Sequence, residues 1–172
     1  MNRRLVPLLN WINLSTPCGL AVAALSGCRV SPGPYGILLA EGYRRRLPKA
    51  RAFTVGSVVL LRGTAPHTPS PAFLRLLEHE GRHARQYAAC LGLPFLPAYL
   101  VAAGYSLLRT GDPASRNFFE RGAGLSDGGY RERPTRPLAA SVGTAVRTSV
   151  RTSVGAAAAR AGRVVDTRPD SR

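Results

Sequence analysis

Residues 70–90, SPAFLRLLEHEGRHARQYAAC, decide how the rest of the chain is read. Ser70 followed by Pro71 is the arrangement that caps a helix and starts its first turn, and Gly92 supplies the stop. Inside the stretch stands His79-Glu80-Gly81-Arg82-His83, which holds two of the chain's three histidines. Composition alone yields on the order of 0.001 such arrangements in a chain of this length, so the spacing is informative. On a helix, positions i and i+4 lie about 40° apart, so both imidazoles leave one face. Two neutral imidazoles placed in that way can share one Zn²⁺. Glu80 falls about 60° from His83, close enough to reach a water beside the ion without ligating it. Hydrolysis at a zinc site needs such a base, because attacking water must lose a proton.

The rest of the helix agrees with this orientation. Ala72, Phe73, Leu76, Tyr87 and Cys90 share the stripe of the histidines and Glu80, which is read as facing inward. Leu74, Glu78, Arg82, Arg85 and Ala89 form the opposite, mainly solvated face. Glu78 and Arg82 make an i,i+4 pair in the favourable order. Polar groups buried in an apolar stripe need partners, and a metal provides them. Gly81 costs the helix about 1 kcal/mol relative to Ala.

Two histidines leave zinc short of protein ligands. Asp112, Glu120 and Asp127 are the carboxylates that follow the helix, and Glu120 is the preferred third ligand. It lies in Asn117-Phe118-Phe119-Glu120-Arg121-Gly122-Ala123, read as the end of a short helix, with Ala123 small enough for close packing. Asp112 is better used as the N-cap of that helix, ahead of Pro113, and Asp127 lies in a Gly-rich loop. His67 sits in a Pro-rich loop, where a ligand would be held less rigidly. Cys90 is about 10 Å along the helix from His83, too far to share the ion. For Glu120 the plainer alternative is an ion pair with Arg116.

Working outward, Phe53 to Leu61 (FTVGSVVLL) is apolar and β-branched and reads as a strand, with Gly56 marking a bulge. Residues 37–40 (ILLA) read as a second strand, after a turn cluster at 31–36. Residues 5–25 read as apolar helices packed on the core, with Ser15 or Thr16 capping the second. The 18 uncharged residues 91–108 are long enough to suggest a membrane span. A span there would carry Glu120 to the opposite side from His79, so the stretch is expected to form a buried helix. The fold class expected is α+β: a short antiparallel sheet packed on the histidine helix, with two or more further helices.

The 172 residues carry 24 Lys+Arg against 9 Asp+Glu, a net charge of +15, and Lys49 is the only lysine. Nine of the arginines lie in residues 131–172, a segment of Ala, Arg, Val, Thr and Ser in which VRTS occurs twice in succession. It has no aromatic residue and too little apolar surface to offset the entropy of ordering. The expected organisation is a domain over 1–130 and a disordered basic tail over 131–172, with the change near Pro134. Such a tail suits a weak anionic partner, but no aromatics are interleaved for base stacking and no specific nucleic-acid partner is expected. Cys18, Cys28 and Cys90 form no paired spacing, which argues against a disulfide framework or a thiolate zinc cluster. Leu25-Ser26-Gly27-Cys28 fits the motif ahead of a lipid-modified cysteine, yet the run before it is broken by Asn10, Asn13, Ser15, Thr16 and Pro17. A cytoplasmic location is therefore favoured, with membrane association or lipidation through Cys28 as the alternative.

Residues 51–123 resemble the zincins, and among them a group of small bacterial zincin-like metallopeptidase domains. In that group a strand A-F-T-x-G precedes a helix with HExxHxxQ. Phe53, Thr54 and Gly56 match the strand, and His79, Glu80, His83 and Gln86 match the helix. Arg82 departs from the uncharged residues usual there. The resemblance implies a zinc site of His79, His83 and a later carboxylate, Glu80 as catalytic base, and a peptide or protein substrate lying along the strand. Tyr43, Tyr87 and Tyr130 are the candidates to assist the oxyanion. The competing expectation is a non-catalytic metal-binding or membrane-surface module that uses the basic tail.

Overall fold

A computed structural model describes residues 5–48 and 50–137; the tail expected over 131–172 lies outside them from residue 138 onward. The order of elements is α1 (Leu5–Ile12), α2 (Ser15–Leu25), β1 (Arg29–Pro32), β2 (Leu38–Glu41), β3 (Ala52–Val55), β4 (Val58–Leu61), α3 (Pro71–Ala89), α4 (Phe95–Thr110) and α5 (Phe118–Ala123). The fold is α+β, as expected. One compact unit runs through Arg133. Residues 132 and 133 are tied to that unit: the Arg133 amide donates to Ser115 Oγ at 2.9 Å, and Glu132 pairs with Arg121 and Arg116.

The four strands are ordered β1-β2-β4-β3. β1 and β3 pair antiparallel with β2 and β4, but β2 and β4 run parallel, which corrects the expectation of a purely antiparallel sheet. The stretch 53–61 is a hairpin rather than one bulged strand: Gly56 and Ser57 form the turn, with Gly56 at φ 64°. Gly at the first of two loop residues suits a tight hairpin turn. The turn cluster at 31–36 also gives up Ser31 and Pro32 to β1.

β4 is the centre of the domain and is buried along its whole length. Its side chains alternate, as strand geometry requires. Val59 and Leu61 join Val6, Leu77, Ala84 and Ala88 in a cluster under α1 and α3, while Val58 and Leu60 meet Ala23, Ala40 and Tyr43 under α2. Leu77, Ala84 and Ala88 thus extend the inward face of α3 beyond the expected stripe, and Ala72 is exposed. α2 starts after Leu14, and Ser15 and Thr16 do not cap it. Asn13 Oδ1 instead accepts from the Ser15 amide at 3.1 Å, and Thr16 Oγ1 is used by the Ser57 amide at 3.1 Å. On α3, Ser70 caps as expected, accepting from the Phe73 amide at 3.2 Å.

Two further expectations are corrected. Asp112 caps a turn, accepting from Ala114 and Ser115 amides, and α5 begins later with Asn117 as its cap. α4 is not a buried helix: it buries Phe95, Ser106 and Thr110 and exposes most of its leucines. No single helix among the described residues is long and apolar enough to cross a membrane; α1 and α2 pass only as a pair bent by 78°.

Gly56 makes the closest approach in the hairpin. A Cβ there would lie 2.4 Å from the Ser15 carbonyl carbon and Thr16 nitrogen, whereas Gly27, at a similar φ of 66°, has nothing within 4 Å. Gly27→Ala should therefore cost about 1–2 kcal/mol of unfolding free energy from backbone strain alone. Gly56→Ala should cost at least twice that, because backbone must move. Gly81→Ala, helical and with open space around it, should add about 0.5–1 kcal/mol. Urea titration of the three variants checks the order, and equal effects at positions 27 and 56 would refute the packing argument.

Candidate metal centre

α3 carries His79 and His83 one turn apart, with both side chains buried. α5, held against α3, brings Glu120 to them. His79 Nε2 and His83 Nε2 are 3.1 Å apart, Glu120 Oε2 is 3.3 Å from His79 Nε2, and Glu120 Oε1 is 3.7 Å from His83 Nε2. The structure therefore brings together the three residues singled out in the sequence as ligands. Asp112 is occupied in its turn, Asp127 pairs with Arg82, and His67 is exposed. Arg116 pairs with Glu132, which removes the alternative use of Glu120.

The hydrogen-bond partners fix the tautomers. His79 Nδ1 faces the carbonyls of Ala123 and Gly124, each at 3.0 Å, and a carbonyl can only accept, so Nδ1 carries the proton. Gln86 Nε2 donates to the Phe119 carbonyl at 2.9 Å, which turns Gln86 Oε1 toward His83 Nδ1 at 2.8 Å. His83 Nδ1 is then a donor as well. Both Nε2 atoms are left with lone pairs pointed at the same space. Metal-binding histidines have their far nitrogens oriented by outer partners in this way.

Lone pairs at such a separation repel unless a cation lies between them. A proton or a divalent ion can supply that charge. Burial disfavours the imidazolium of His79, but the hydrogen bond to Glu120 and the charges of Glu80 and Glu120 outweigh burial and raise its pKa. Burial likewise disfavours the Glu120 carboxylate, yet hydrogen bonding to His79 and His83 and the hydroxyl of Tyr99 holds it well below the usual carboxylate range. Beyond the 3.3 Å contact with His79 Nε2, Glu120 Oε2 has no partner among the described residues. The donor set also fits a divalent ion geometrically. Ligands about 2.0–2.1 Å from a tetrahedral zinc stand roughly 3.4 Å from one another, and the two Nε2 atoms at 3.1 Å and the His79 Nε2–Glu120 Oε2 pair at 3.3 Å lie close to that value.

Glu80 lies beside the histidines and is held by β3. Thr54 Oγ1 donates to Glu80 Oε2 at 2.7 Å, which gives the threonine of the AFTVG strand a role that the sequence did not reveal. Burial raises the pKa of Glu80, against the opposing influence of His83 and of the Thr54 hydrogen bond. Tyr99 on α4, not singled out in the sequence, donates to Glu120 Oε1 at 2.5 Å. Its only sequence signal is the pairing of Phe95 and Tyr99 on one helical face. Of the three tyrosines considered for an oxyanion, Tyr130 is beside the site, its ring 6.2 Å from that of His79. Tyr43 donates to the Leu47 carbonyl, and Tyr87 packs on Phe95 with its hydroxyl unpartnered among the described residues.

Arg82 corrects the helical wheel. It does not point to solvent. Its guanidinium reaches over α5, donating to the Ala123 carbonyl at 2.7 Å and to Asp127 Oδ2 at 2.5 Å, while Glu78 stays within 3.7 Å. This clamps residues 124–130 over the histidines. A Cβ on Gly128 would stand 2.6 Å from His79 Cε1, so only glycine permits the loop to lie so close.

No protein-family model, curated protein or solved structure matches this chain. The geometry alone therefore sets the test. Purified protein should bind close to one zinc per chain, and His83→Ala should lose most of it. Glu120→Gln should weaken zinc affinity at least tenfold, as expected for losing one of three protein ligands. Asp112→Asn and His67→Ala should change it little. Competition titration with a chromophoric chelator measures all four, and a damaging His67→Ala would replace the carboxylate with a third histidine.

Proposed function

We propose that this chain is a zinc-dependent hydrolase acting on peptide bonds. The observation that carries the reading is the convergence of His79 Nε2, His83 Nε2 and the Glu120 carboxylate at separations of 3.1–3.7 Å, with Glu80 beside them. Zinc bound by these residues would lower the pKa of water and polarise a carbonyl. Glu80 is placed to do the proton transfers. Thr54 occupies one of its oxygens, which fixes the carboxylate and leaves the other oxygen to accept a proton from water and pass it to the leaving amine. β3, the outer strand of the sheet next to Glu80, offers an edge along which an extended peptide can pair.

A second reading has one observation in its favour. His79, Glu80 and Glu120 are only 2%, 3% and 2% exposed, and closed zinc sites are typically structural. In a hydrolase, residues 124–130 must swing aside to admit substrate. In a structural site they need not move.

One substitution separates the readings. Glu80→Gln keeps the size of the side chain and removes its basicity. Screened against a peptide library, the variant should lose at least about a hundredfold in cleavage rate while its zinc content stays that of the unaltered protein. Full cleavage by the variant would eliminate Glu80 as base. Absence of cleavage by either protein, with zinc retained in both, would support the structural site.

A further inference from the structure

We propose that α1, the 91–93 turn and α4 form one surface that inserts into the interface of an anionic lipid bilayer. The inference is independent of the metal centre.

These helices are inverted relative to helices that face water. An amphipathic helix of a soluble domain turns its apolar stripe inward. α1 instead buries Val6 and Asn10 and exposes Leu5, Leu8, Trp11 and Ile12. α4 buries Ser106 and Thr110 with Phe95 and exposes Leu96, Leu100, Val101, Leu107 and Leu108. The buried polar groups are well used, so the orientation is set from inside. Asn10 donates to the Ala84 carbonyl at 2.9 Å and to Ser57 Oγ at 3.1 Å. Ser106 Oγ donates to the Asp112 carbonyl and accepts from the Arg116 amide, both at 2.7 Å.

The turns that join the helices carry the same signal. Leu14 and Leu91 both adopt the left-handed backbone, at φ 64° and 58°, where glycine or asparagine sits more easily. Leu14 is 61% exposed and Leu91 79%, so neither leucine gains burial inside the fold for that strain. The two turns touch: a Cβ at Gly92 would lie 2.7 Å from Asn13 Cγ. One corner of the domain therefore gathers Ile12, Leu14, Leu91, Leu93 and Leu96, with α1 and α4 leading away from it.

Charge selects the occupant. α1, α2 and α4 together contain one charged residue, Arg109, in the last turn of α4, where it lies over the Tyr105 ring at 5.9 Å. Arg3 and Arg4 precede α1 in the sequence, and the chain as a whole is at +15. A second copy would bring the same positive charge and repel. An anionic headgroup layer over hydrocarbon meets both the apolar face and the arginines. α4, with 16 residues, is about 24 Å long, shorter than the roughly 30 Å hydrocarbon core, so it enters one leaflet rather than crossing.

Trp11 is the only tryptophan, is 49% exposed and lies on this face, so it reports directly. Full-length protein should float with vesicles of phosphatidylcholine and phosphatidylglycerol in about equal parts, and its Trp emission should shift to the blue. With phosphatidylcholine alone, binding should be at least tenfold weaker. The double variant Leu14→Asn/Leu91→Asn keeps residues that tolerate the left-handed backbone. It should melt no lower than the unaltered protein yet lose at least tenfold in vesicle affinity. The proposal fails if the double variant binds equally well. It fails too if binding occurs with no Trp shift, which would leave the basic segments as the sole attachment. A blue shift without lipid, accompanied by self-association in sedimentation, would overturn it in favour of a second copy.

Discussion

Two imidazole nitrogens and a carboxylate converge on one buried point, and the rest of the site is arranged around that constraint. The remaining polar atoms of the same side chains are committed elsewhere, which turns His79 Nε2, His83 Nε2 and Glu120 Oε2 toward one another. Carbonyls of Ala123 and Gly124 accept one imidazole proton and Gln86 Oε1 accepts the other, while the Tyr99 hydroxyl donates to Glu120 Oε1. Low dielectric makes such an arrangement costly unless positive charge sits at its centre. A proton can serve, and the raised pKa of His79 reflects it. A divalent cation would satisfy all three atoms at once and displace the proton.

The fold supplies this point from four directions. α3 brings the histidines and Glu80, α5 the carboxylate, α4 the Tyr99 hydroxyl and β3 the Thr54 hydroxyl. Gln86 links α3 to α5 through both ends of its amide, so the last polar residue of the helix motif sets the distance between the histidines and Glu120. Arg82 does the same from the other side through the Ala123 carbonyl, which it shares with His79. Residues that depart from the expected motif, or that complete it without ligating, thus carry the positioning.

Much of this was legible in the sequence, and the parts that were not have physical causes. The helix over 70–90 was readable because its cap, its period and its stop agree. Glu120 was reachable by elimination among ligand types. Thr54, Tyr99 and the clamp of Arg82 were not, because each acts across a tertiary contact that no local periodicity encodes. The wheel placed Arg82 outward, but a long side chain only about 60° from His79 can reach over a neighbouring helix. The parallel pairing of β2 with β4 was hidden for a similar reason: short apolar strands do not announce their partners. α4 differs from the expectation for another reason. Its apolar composition suggested burial, whereas the helix buries its Ser106 and Thr110 and turns its leucines outward.

What fills the space between the histidines and Glu120 decides what the site does. X-ray absorption at the zinc K edge of purified, zinc-loaded protein reads that directly. Two imidazoles and oxygen ligands at about 2.0–2.2 Å from the metal, with no sulfur, are expected. A scatterer at about 2.3 Å, the distance of a thiolate, would contradict that expectation, as would a shell with no imidazole signal. Either result would place the metal elsewhere and leave His79, His83 and Glu120 as a proton-bridged cluster.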